Sequence, residues 1–131
     1  MITSEIKADI KAGIYDERLL DIYVDENLLK YNKERYIAAV SRYEQYYGEG
    51  NVCVCSAPGR SEIGGNHTDH QHGEVLAAAI NLDAIAVVAP TQDGMVRIVS
   101  EGYDEIVINT TELEADEREQ GTPLEVQSRE L

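Results

Sequence analysis

The residues most able to do chemistry lie together in Ala57-Pro58-Gly59-Arg60-Ser61-Glu62-Ile63-Gly64-Gly65-Asn66-His67-Thr68-Asp69-His70-Gln71-His72-Gly73. Glycines, histidines, acids and one arginine crowd this stretch, and an apolar run stands on either side. A ligand loop between two strands has this character. A P-loop is ruled out, because Gly65-Asn66 stands where the phosphate-reading Lys-Ser/Thr must follow. Zinc is a weak fit. His67, Asp69, His70 and His72 have loop spacings, with neither a helical His-x-x-x-His nor a nearby cysteine. Asn66-His67-Thr68 and Asn109-Thr110-Thr111 match the glycosylation acceptor pattern, which reads as chance in a chain with no secretion signal. Recognition of a polyhydroxylated ligand fits better. A carboxylate such as Asp69 accepts from two adjacent hydroxyls, while Asn66 and His67 each donate and accept. Arg60 adds a fixed positive charge where charge changes during reaction. Its bland alternative is a surface arginine paired with Glu62.

The elements that must hold this loop can be read from periodicity. Ile2, Ile6, Ile10 and Ile14 recur at spacing four, and Leu19, Leu20 and Tyr23 follow beyond Gly13, which predicts two short amphipathic helices. A longer helix is expected from Asn32 as N-cap, with Tyr36, Val40, Tyr43 and Tyr47 as its core stripe and Gly48 as its stop. Val52-Cys53-Val54-Cys55 reads as a strand that Pro58 ends. Residues 75–89 read as two buried strands broken at Asn81-Leu82-Asp83, with a buried helix in the alanine-rich part as the alternative. Gln92-Asp93-Gly94 predicts a hairpin joining Val87-Val88 to Met95-Val96-Arg97-Ile98-Val99. Glu101-Gly102-Tyr103-Asp104 turns into a last strand over 105–109, and 111–131 reads as a charged helix or tail. The fold class is α+β, with N-terminal helices followed by a mixed, largely antiparallel sheet. One domain is expected over 1–131, helical to 48 and mainly strands over 51–110.

Composition narrows the partners. Eleven Lys+Arg against 25 Asp+Glu give a net charge of -14, which disfavours nucleic acid and anionic membrane. No apolar run approaches the roughly 20 residues of a membrane helix, and the expected location is cytoplasmic. Cys53 and Cys55, two apart on a strand, face the same way. They are expected to be buried, reduced thiols, since a mutual disulfide would be strained and two cysteines make a poor zinc site.

The loop resembles the first motif of galactokinases, in the GHMP small-molecule kinase superfamily. That motif runs Ala-Pro-Gly-Arg-Val-Asn-Leu-Ile-Gly-Glu-His-Thr-Asp-Tyr, and the chain aligns to it without a gap from Ala57 to His70. Identities fall at Ala57, Pro58, Gly59, Arg60, Gly65, His67, Thr68 and Asp69, with Gly73 following. The departures are Glu62, Ile63-Gly64, Asn66 for the family's glutamate and His70 for its tyrosine. Tyr47-Gly48 stands where the family has Phe-Gly.

The resemblance implies a partial GHMP-kinase N-terminal domain of the ribosomal protein S5 domain 2-like fold. It implies that Arg60 stabilises the transition state beside the anomeric hydroxyl, and that Asn66, His67, Thr68 and Asp69 line or bind galactose or a similar sugar. The complete enzyme would phosphorylate galactose with ATP and Mg²⁺. The family's Gly/Ser-rich phosphate loop, catalytic aspartate and third motif have no counterpart in these 131 residues. The expectation is therefore an incomplete N-terminal portion, inactive and without a cofactor by itself, that self-associates through the apolar run 75–89. The alternative is a galactokinase-like galactose sensor without kinase activity.

Overall fold

A computed structural model of the protein describes residues 1–65 and 74–111. The described residues fall into two compact units divided between Pro90 and Thr91. The first unit begins with α1 (Thr3–Ala12) and α2 (Asp16–Tyr23), separated by Gly13 in the left-handed conformation at φ 84°. That is the punctuation expected of a glycine at a helix end. Ile6 and Ile10 are buried, whereas Ile2 and Ile14 are exposed, so the isoleucine stripe serves the core only at its centre. Val24 ends α2, also left-handed at φ 63°. A β-branched residue gives no sequence signal for such a stop.

A 3₁₀ turn over Glu26–Leu28, capped by Asp25 accepting from the Asn27 amide at 2.9 Å, leads into α3 (Leu29–Tyr47). Asn32 is therefore not the N-cap. It lies one turn inside the helix, 2% exposed, and its amide oxygen accepts from Arg35 Nη1 at 3.0 Å. Along the tyrosine stripe Val40 is fully buried and Tyr36 and Tyr43 pack on the core, while Tyr47 is exposed at the helix end. Gly48 stops the helix as expected, at φ 77°.

The first sheet is a ribbon of two long antiparallel strands, β1 (Cys53–Gly64) and β2 (Leu76–Val88). Two expectations are corrected by it. Pro58 does not end β1; it pairs with Asp83, and the register shifts immediately after it. Asn81-Leu82-Asp83 is not a break between two strands. Pairing passes from Pro58↔Asp83 to Arg60↔Ala79, so Ile80, Asn81 and Leu82 face Gly59 alone, and a bulge absorbs the polar interruption. Nor is the apolar run buried, since Val75, Leu76, Ile80 and Leu82 are all exposed.

Only the base of the ribbon joins the core. Val52, Ile6, Ile10 and Val40 form its buried centre, and Val54, Val87 and Ala89 pack against it from the ribbon. Alternation along the strands turns those residues toward the helices and leaves Cys53, Cys55, Ala86 and Val88 exposed on the other face. The thiols are therefore on the surface, against expectation, because Val54 between them takes the inward position. The chain start is fastened to this base: the Val52 amide donates to the Met1 carbonyl at 2.9 Å and the Thr3 amide to Gly50 at 3.1 Å.

In the second unit β3 (Met95–Ile98) pairs antiparallel with β4 (Ile106–Asn109), with Ser100 accepting from the Tyr103 amide in the turn between them. The hairpin expected at Gln92-Asp93-Gly94 is thus corrected: β2 pairs with β1 and β3 with β4. Gly94 does adopt a positive φ of 69°, and Asp93 accepts from the Met95 amide, but a turn signal says only that the chain reverses, not which strand is its partner. Helices followed by small antiparallel sheets make the described fold α+β. The charged stretch 112–131 lies outside the described residues.

Val40 has no exposed surface and sits at the meeting point of α1, α3 and the ribbon base. Val40→Ala is expected to destabilise the protein by roughly 2 kcal/mol. Urea unfolding checks this, and a loss under about 0.5 kcal/mol would place the core elsewhere.

Candidate functional site

The ribbon carries the motif. Ala57 to Gly64 lie in β1, and the chain leaves at Gly65 and re-enters beside it at Glu74. The approach is so close that a Cβ on Gly65 would stand 2.3 Å from the Glu74 carbonyl oxygen, and its φ is 85°. Only glycine fits both conditions. Gly59 is confined differently: a Cβ there would meet Ile80 Cδ1 at 3.2 Å and the Leu82 carbonyl at 3.3 Å, across the bulge. Gly65 is thus required by the backbone that holds the loop, and Gly59 is closely confined by its neighbours across the bulge.

Arg60 sits on the outer ribbon opposite Ala79, with Glu62 two residues on opposite Ala77. The Arg60 side chain is 77% exposed, 4.0 Å from Glu62 Oε1, whose side chain is more covered. An exposed pair at that distance contributes about 0–1 kcal/mol, so it does not fix the guanidinium. Asn66, His67, Thr68 and Asp69, with His70 and His72, lie outside the described residues. Among the described residues no group of three or more His, Cys, Asp or Glu is placed to hold a metal.

At the inner end of the ribbon stands a cluster that the sequence reading missed. The Asp83 side chain is 3% exposed. Its Oδ2 accepts from the Tyr23 hydroxyl and from Ser56 Oγ, each at 2.6 Å, and its Oδ1 accepts from Arg35 Nη2 at 2.8 Å. Arg35 also reaches the Asp83 carbonyl at 3.3 Å and lies 6.0 Å from the Tyr23 ring and 5.7 Å from the Tyr31 ring. Tyr36 meets Tyr23 edge-on, with their hydroxyls 3.1 Å apart. One carboxylate therefore ties α2, α3, β1 and β2 together.

The electrostatics follow from burial and these bonds. Burial would raise the Asp83 carboxyl, but hydrogen bonds from Ser56, Tyr23 and Arg35 outweigh it and hold the group below the usual carboxylate range. Burial, then the bond to Asp83, pushes the Tyr23 phenol well above its ordinary value. Burial works against the Arg35 charge, yet its bond to Asp83 keeps the guanidinium above its usual value. At neutral pH the cluster is a carboxylate held by a cation and two neutral hydroxyls. It anchors, and both carboxylate oxygens are occupied. The signal for it was the one acid inside the run 75–89, apolar but for Asn81, since a charge there must be paired. Spacing alone could not name Arg35 as the partner.

Comparison with known proteins bears on the outer ribbon. The galactokinase galactose-binding signature matches residues 41–90. This region is galactokinase-related. Among curated relatives, the galactokinase of Homo sapiens is 42% identical over 64 residues, covering 47% of this chain and 16% of the relative. That of Enterococcus faecalis is 33% identical over 67 residues, covering 51% and 17%. That of Lactobacillus helveticus is 36% identical over 90 residues, covering 66% and 22%. The chain therefore matches only between 16% and 22% of the length of these galactokinases. No solved structure matches.

The galactokinase signature takes in the last two turns of α3 and the whole β1–β2 ribbon, and it ends where the first unit ends, at Pro90. Ser56 and Asp83 fall inside it, and Tyr23 and Arg35 before it, so the anchor joins the signature to the preceding helices. No described helix is long and apolar enough to cross a membrane.

Because the folded Asp83 carboxyl is held low, its contribution is present above the ordinary carboxylate pKa and is lost as pH falls through the folded value. Asp83→Asn is expected to cost about 2–3 kcal/mol at pH 7, leaving Arg35 without its charge partner. The difference from the parent should shrink as pH falls below the carboxylate range. Thermal unfolding from pH 7 downward checks both, and a difference independent of pH would contradict the ionic role.

Proposed function

We propose that this chain is the sugar-binding part of a galactokinase, which when complete transfers the γ-phosphoryl of ATP to the anomeric hydroxyl of galactose. The observation that carries the reading is the galactose-binding signature over residues 41–90, which includes Arg60 and the segment 66–69. In this reading Asp69 accepts from adjacent sugar hydroxyls, and Asn66 and His67 donate and accept around the ring, with Thr68 beside them. Arg60 supports charge developing on the transferred phosphoryl. Its exposure and its loose contact with Glu62 leave the guanidinium able to turn toward a ligand.

ATP and Mg²⁺ would be held by parts of the complete enzyme outside these 131 residues, which contain no Gly/Ser-rich phosphate loop. The chain alone then binds sugar and performs no transfer. The corresponding fold is the GHMP-kinase N-terminal domain, and the location is the cytoplasm, where ATP and reduced thiols are found. One observation favours a second reading: Asn66 keeps hydrogen-bonding capacity but loses the charge of the family's glutamate, which suits a galactose sensor that does not phosphorylate.

A coupled ADP-release assay on the purified chain with ATP, Mg²⁺ and galactose is expected to show no galactose-dependent turnover. Turnover by the chain alone would overturn the division of labour. In a full-length protein of this sequence, Arg60→Ala should lower kcat by roughly 10²–10³ with little change in KM if the enzyme reading holds. Absence of transfer in the full-length protein, with galactose binding retained, would favour the sensor.

A further inference from the structure

The ribbon base presents a second chemical feature, unrelated to the sugar motif. Cys53 and Cys55 are both exposed and free, and their sulfurs lie 3.8 Å apart. The pair is held in place by what lies between and across from it. Val54 packs on the buried core and so turns both neighbouring thiols outward. On β2 the residues opposite are Val88 and Ala86, neither of which carries a donor atom or covers the sulfurs. The two thiols hydrogen-bond each other.

Three outcomes are open to two sulfurs so placed. A disulfide requires about 2.05 Å between them, and neighbours two apart on one paired strand cannot close that gap without moving the backbone. A closed tetrahedral metal site requires four ligands, and no group of three or more His, Cys, Asp or Glu is assembled among the described residues. The third outcome is a ligand satisfied by two sulfurs. Two sulfurs bound to one centre at about 2.3 Å stand roughly 3.3–3.8 Å apart for bond angles of about 90–110°. The Cys53–Cys55 separation already falls at the upper end of that range.

We propose that Cys53 and Cys55 form a bidentate dithiol site for a monosubstituted trivalent arsenical, a thiophilic centre that takes two sulfur ligands and needs no third from the protein. The step is a condensation. Two As–S bonds form as the As–O bonds of the arsenous group break, and the two thiol protons leave in the water released, with no change of oxidation state. Hydrogen bonding to Cys53 pushes the Cys55 thiol up.

The probe is phenylarsine oxide. Native mass spectrometry is expected to show one arsenical per chain, retained in excess monothiol and released by 2,3-dimercaptopropanol, with both thiols lost together to Ellman's reagent. Cys53→Ser or Cys55→Ser should each weaken binding by about a hundredfold, because the second bond is intramolecular. Circular dichroism confirms that the variants fold, and the parent's stoichiometry decides the matter without them. Two arsenicals per chain, one thiol still titratable in the adduct, or full affinity in either serine variant would each overturn the proposal.

Discussion

The buried carboxylate of Asp83 is the constraint on which the first unit depends. An acid 3% exposed must find partners for its charge, and this one finds them on three other elements: Arg35 on α3, Tyr23 on α2 and Ser56 on β1. Buried ion pairs are poor evidence of net stability, because desolvation offsets most of their attraction. Their strength lies in what they exclude. Any register of β2 that moved Asp83 away would strand Arg35 and leave a charge unpaired, so the cluster selects one seating of the ribbon on the helices.

That selection matters because a two-stranded ribbon is marginal by itself. Its base is held by apolar packing of Val54, Val87 and Ala89 and by the Asp83 cluster. Past Pro58 and the bulge at Ile80 to Leu82, the strands run on with their side chains exposed. The outer half is therefore supported from one end, and glycines set its course: Gly59 opposite the bulge, and Gly65 where the strands approach too closely for a side chain. The galactose-binding signature spans this whole lever, from α3 to Pro90.

Much of this was legible in the residues. Gly13 and Gly48 marked helix ends, the α3 stripe marked its inward face, and the run from Ala57 to Asp69 carried the galactokinase resemblance that the signature over residues 41–90 also picks out. Pro58 and the Asn81-Leu82-Asp83 interruption carry local signals that tertiary pairing overrode: Pro58 stayed in the strand beside a register shift, and the polar interruption became a bulge ending in a paired acid. Asn32 lost the N-cap position because the 3₁₀ turn capped by Asp25 leads into α3 already at Leu29. Cys53 and Cys55 share one face of β1, as residues two apart on a strand must, but that face is the outer one because Val54 takes the inward position. Strand partnership is likewise non-local, which is why Asp93-Gly94 predicted a turn correctly and its hairpin wrongly.

Amide-resolved NMR of the chain titrated with galactose tests the proposed sugar site on the outer ribbon. Saturable shifts confined to residues 59–74, abolished by Asp69→Asn, are expected, with the helical amides and the Asp83 cluster unmoved. Shifts centred on the helices or on β3 and β4, or none at saturating sugar, would contradict it.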